Sequence, residues 1–168
     1  PALDEVGVGV DVEAAPRRAA GGAEPEMDAD GNPIMREMDD DGDPVTELRS
    51  YIRRKLEMAR DFPRESRLFA NEILQGAPRI MPLLEGELKS LVDEKVEVIR
   101  GWMRRGKIAR TDPWHLIFSI WATTQHYADF DVQVRAVLGK DRGGDGRFED
   151  AARFLEQLYL NGLQTRAD

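Results

Sequence analysis

The sequence predicts an all-α protein. Apolar residues recur at three- and four-residue spacing along most of the chain after Asp43, the signature of helices with one buried face. No segment alternates apolar and polar residues as a half-buried strand does. Helix punctuation is dense: Asp-Pro pairs stand at Asp43-Pro44 and Asp112-Pro113, and Gly76, Gly106 and Gly139 follow periodic runs.

The elements follow in order. Asp43 is suited to cap free amides and Pro44 to the first helical position, so a first helix opens there, carries Leu48, Ile52, Leu56 and Ala59 on one stripe, and ends at Phe62 before Pro63. A second runs from about Arg64 to Gln75, with Leu68, Phe69, Ile73 and Leu74 apolar, and Gly76 with Pro78 stops it. A short turn near Ile80 to Leu84 precedes a long helix to about Arg105, whose Leu88, Leu91, Val92, Val98, Ile99 and Trp102 keep a period near 3.6 and whose C-cap is Gly106. Asp112-Pro113 launches a helix to about Phe130. A shorter one spans Val132 to Leu138, the segment KDRGGDG reads as a flexible loop, and a last helix spans Phe148 to Leu163.

The helix beginning DPWHLIFSIWA differs from the others, because only His115 and Ser119 interrupt the apolar residues from Trp114 to Ala122. It has no wet face at its start and must run through the middle of the bundle. Residues 1–42 are the opposite case. The first 43 residues hold six Gly and four Pro, and all twelve aromatic residues lie at or after Tyr51. Such a segment cannot build a core, and a disordered acidic arm is expected over 1–42, with the folded domain at 43–164. Residues 1–45 carry 13 acidic and 3 basic side chains, whereas residues 46–168 carry 19 and 21, so the net charge of −8 comes from the arm.

This distribution excludes several function classes. The near-neutral folded part has no basic footprint for nucleic acid, and Arg104, Arg105 and Lys107 read as cations favoured at a helix C-terminus. With no cysteine, neither disulfides nor thiolate metal sites are available. No apolar stretch approaches the roughly 20 residues of a membrane span, and no signal peptide opens the chain, so no membrane association and a cytoplasmic protein are expected. His115 and His126 lack the Glu-x-x-His or His-x-x-x-His spacing of helical metal ligands, no nucleophile elbow or phosphate loop is present, and no metal, catalytic residue or cofactor is expected.

What remains is binding. Trp121, Gln125 and Ala128 share one helical stripe, and a flat aromatic beside an amide suits a pocket for a small planar polar ligand. Burying Gln125 and His126 without partners costs about 1–3 kcal/mol each, so either a ligand or neighbouring helices must satisfy them. Arg67 and Glu72 are candidates for further polar groups, or for plain exposed charges. The two most apolar helices, 113–130 and 148–163, call for a second copy to cover them, with Trp114, Phe118, Ala152, Leu155 and Tyr159 as the interface of a symmetric four-helix homodimer. The alternative is a helical interaction module that binds no small molecule.

Three segments, YIRRKLEMARDFPRESRLFANEIL, LKSLVDEKVEVIRGWMRRGKIA and DPWHLIFSIWATTQHYADF, together resemble the C-terminal domain of pyrimidine-utilisation regulators in the TetR family of bacterial repressors. The resemblance covers about Asp43 to Leu163, with a looser echo in PIMREMDDD. It implies a TetR-type helical bundle that binds uracil or thymine as effector, dimerises, and releases DNA when the pyrimidine binds. It implies a pocket role for Trp121, with Gln125 one turn later offering both hydrogen-bond donor and acceptor to the pyrimidine edge. Residues 1–42 do not resemble the family's helix-turn-helix domain. Their Ala, Gly, Pro, Arg, Asp, Glu and Val bias is what an out-of-frame reading of GC-rich DNA produces, so a frameshifted or truncated regulator is expected, reaching DNA only through an intact family member.

Overall fold

The computed structural model describes residues 38–165, and the expected acidic arm lies outside them apart from its last few residues. The helices are α1 (Pro44–Asp61), α2 (Pro63–Leu74), a helical turn α3 (Met81–Leu83) passing through a π-helical turn (Leu84–Leu88) into α4 (Lys89–Arg104), α5 (Pro113–Asp129), α6 (Asp131–Arg142) and α7 (Arg147–Gly162). No strand occurs among the described residues.

The Asp-Pro signals act as their chemistry dictates. The Asp43 carboxylate accepts from the Thr46 amide at 3.0 Å, and Asp112 accepts from the His115 amide at 3.0 Å. Each satisfies an amide that the first turn leaves without a partner. At the other end of α4, Gly106 takes φ +66°, which lets Lys107 N–H donate to the Trp102 carbonyl at 2.9 Å. This is the left-handed closure that favours glycine.

α5 packs against α1, α2, α4 and α6, and α1 also packs against α7, so the apolar helix launched by Asp112-Pro113 does run through the middle of the bundle. Ile117 and Ile120 of α5 meet Leu48, Ile52, Ile99 and Trp102 in a core where all six are 0% exposed. Each side chain so buried contributes roughly 1.5–3 kcal/mol by leaving water. α5 is not covered all round, however: Phe118 is 46% exposed, and Ala122, His115 and His126 are also exposed.

Three local expectations shift. The segment around Met81–Leu84 is already helical, because the π-helical turn absorbs an extra residue without breaking the run into α4. Helix α6 kinks at Gly139, with φ 73°, where it was expected to end, and one further turn forms in the segment expected to be a loop. The ordered chain reaches back at least to Met38, ahead of the expected boundary at Asp43. Met38 is buried, Trp102 Nε1 donates to the Asp40 carbonyl at 3.2 Å, and Arg105 pairs with the Asp40 carboxylate at 2.8 Å. Gly101 makes this docking possible, since a Cβ there would stand 2.5 Å from Asp40 Oδ1.

Candidate functional site

Trp121 sits where α1, α4 and α5 converge. Its indole Nε1 donates to the Tyr51 hydroxyl at 2.6 Å. Lys55 lies one turn beyond Tyr51 on α1, and its Nζ stands 5.2 Å from the Trp121 ring centre and 6.0 Å from that of Tyr51. From α4, Lys95 brings its Nζ to 5.7 Å from the Tyr51 ring while remaining 2% exposed. Both ammonium groups are close enough to the aromatic faces for cation–π attraction.

Burial and the neighbouring Lys95 charge push the Lys55 pKa down to about 8. Burial pushes Tyr51 up to about 12, against the opposing effect of its hydrogen bond with Trp121, so its phenol stays protonated. Two lysine side chains, an indole and a phenol therefore meet in one small region, with the indole N–H bonded to the phenol oxygen. The cluster is rich in donors, and a lysine moved toward neutrality in a half-buried aromatic setting is typical of ligand sites.

Gln125 is half-buried on the same stripe as Trp121. The other expected ligand groups have different employment. Arg67 donates to the Ala128 carbonyl at 3.1 Å, fastening α2 to the end of α5. Glu72 is buried and accepts from the Arg79 amide at 2.7 Å, which closes the turn after α2. His126 is exposed and stacks on Phe130 at 5.0 Å between ring centres, so no buried imidazole needs a partner. Cavities of about 280 Å³ and 110 Å³ lie elsewhere, the first beside Val45, Ile108 and Leu163 and the second beside Arg53, Asp145 and Phe148.

The residues expected at a subunit interface divide. Trp114 is half-buried, with Arg100 over its ring at 4.6 Å, and Phe118 is exposed. Tyr159 is half-buried and shares a 3.0 Å hydrogen bond with Thr123, which joins α5 to α7. Ala152 and Leu155, at 4% and 3% exposed, point into the protomer's own core, because α1 claims that side of α7. The apolar side chains that α7 leaves outside are Phe154 and Leu158, 60% and 53% exposed.

Tyr51, Lys55 and Lys95 were not foreseen from the sequence. One signal was available: Lys95 lies three residues after Val92 and four before Ile99, on the stripe that α4 buries. A lysine at a core position announces a special environment.

The chain is thus a helical bundle whose buried faces flank a polar aromatic cluster. Residues 31–166 match the family model for the YcdC-like protein, C-terminal region, of the TetR type, and the chain belongs to that family. Among individual proteins it is similar to the HTH-type transcriptional regulator RutR. The RutR of Escherichia coli O157:H7 is 48% identical over 123 residues, 73% of this chain and 58% of the relative. Those of Escherichia coli strain K12 and Shigella flexneri are 47% identical over the same length. The chain thus spans a little over half the length of the curated relatives it matches. Among the described residues no helix is long and apolar enough to cross a membrane.

Proposed function

We propose that this domain senses a pyrimidine base, uracil or thymine, in a RutR-like transcriptional regulator, and that it acts as a homodimer in the cytoplasm. The observation that carries the reading is the half-buried Trp121 edge flanked by Tyr51, Lys55 and Lys95 in a domain so similar to RutR. The ring would stack on the indole while Gln125 and the lysines bond its polar edge. Sensing then follows from differential affinity: a ligand that draws α1, α4 and α5 together favours one arrangement of the dimer over another. DNA contact belongs in this proposal to a helix-turn-helix outside residues 38–165, reached directly or through a mixed dimer.

Titration calorimetry with uracil and thymine tests the proposal. Wild-type protein should bind, and Trp121→Ala should lose at least tenfold in affinity with its helical content unchanged; equal binding by the variant removes the stacking role. A second reading is favoured by the 2.6 Å bond between Trp121 and Tyr51, which already satisfies the indole internally. On that reading the domain is a helical dimerisation module, and neither pyrimidine would raise its melting temperature.

A further inference from the structure

We propose that Lys55 is a covalent site for small aldehydes, its side-chain nitrogen joining the carbonyl carbon and holding the aldehyde as an imine against Tyr51 and Trp121. This goes beyond pyrimidine sensing and does not depend on it. A lysine is a nucleophile only as the neutral amine, and two circumstances produce that form near neutral pH: removal of the ammonium from water and a second cation close by. Lys55 has both. Its Nζ stands 5.2 Å from the Trp121 ring centre and 6.0 Å from that of Tyr51, and Lys95 reaches the same Tyr51 ring from α4 with its Nζ at 5.7 Å. No carboxylate among the described residues pairs with Lys55 to hold its proton. With its pKa down at about 8, roughly a tenth of Lys55 is neutral at pH 7, against less than about a thousandth of an ordinary lysine.

The other lysines lack this combination. Lys89 pairs with Asp93, Lys107 donates to the Gly42 carbonyl, and Lys140 is exposed. Lys95, at 2% exposed, is closed to a reagent that the half-buried Lys55 admits. In the reaction the nitrogen lone pair forms a C–N bond to the aldehyde carbon and the C=O π pair moves to oxygen. Proton transfers from nitrogen then carry that oxygen away as water and leave a C=N bond, with no oxidant or further reactant consumed. The protonated imine keeps a positive charge beside the indole and phenol faces, so the cation–π attraction persists. The aromatic walls keep water from the C=N bond and slow its hydrolysis.

The test equilibrates the whole chain with acetaldehyde at pH 7, quenches with borohydride to fix each imine as an alkylated amine, and maps the alkylated lysines by mass spectrometry. In the folded chain alkylation at Lys55 should exceed that at Lys140 at least tenfold. In urea, where the packing against Tyr51, Trp121 and Lys95 is gone, the two lysines should be alkylated alike. Alkylation of Lys55 no greater than that of Lys140 in the folded chain overturns the proposal, and so does a preference that persists unchanged in urea. Either result leaves pyrimidine sensing as it stands.

Discussion

Lys55 links the chemistry of the site to the stability of the domain. Its pKa falls to about 8 in the folded protein, below its ordinary 10.5, so the fold disfavours the charged form. The unfolded chain therefore holds more protons between those values, and stability should rise with pH there. Below about pH 8 the cost is fully present, on the order of 3 kcal/mol at roughly 1.4 kcal/mol per pKa unit. Tyr51 acts in the opposite sense only above pH 10, where its raised pKa makes stability fall. Denaturant titrations of the ligand-free domain at pH 7, 8, 9 and 10 should show wild type gaining stability from pH 8 to 10, with Lys55→Met more stable at pH 7 and lacking that rise. A flat wild-type profile would mean that the ammonium is solvated. None of this was legible in YIRRKLEMA, where Lys55 is one cation among three and only the approach of α4 and α5 removes it from water.

Helices α1 and α5 test how much local sequence dictates. Their starts were legible to the residue, because an Asp-Pro pair needs nothing from the rest of the protein to cap an amide and preset a backbone angle. Asp112→Ala should cost about 1 kcal/mol in a denaturant melt, since it deprives the His115 amide of its acceptor at the start of the central helix. Ile120→Ala, in the same helix, should cost about 2–5 kcal/mol by opening a cavity among fully buried neighbours. Element ends were less legible. The π-helical turn and the extra turn after Gly139 arise from backbone adjustments that leave no trace in apolar spacing. The burial of Met38 and the docking of Asp40 on α4 were missed for a related reason: the segment is acidic and has no period, and its anchors are the Trp102 indole and Arg105, more than sixty positions away.

Association is where chain and assembly meet. α5 and α7 place Phe118, Phe154 and Leu158 in water, and exposed aromatic side chains on adjoining helices favour a second copy of the same surface. Sedimentation velocity should find the wild-type domain dimeric and the double variant Phe118→Glu, Phe154→Glu monomeric, because charge on both sides of a two-fold axis repels itself. A dimer that survives those changes would place the interface elsewhere. The expected pair Ala152 and Leu155 could not be sorted from Phe154 and Leu158 by spacing, since α7 has apolar residues on two sides and only the position of α1 decides which one is inside.

The order and class of the main helices, and the central place of α5, were written in the chain, because periodicity, caps and a long apolar run act through neighbours a few residues apart. The tryptophan was also legible as a candidate. Its surroundings were not: Tyr51, Lys55 and Lys95 become a cluster only when helices distant in sequence bring their polar ends to one place, and Arg67 and Glu72 are drawn off to backbone partners by the same packing. Spacing along a helix reports which face a residue shares; which neighbour covers that face, and what that does to a buried charge, is settled by contacts across the bundle.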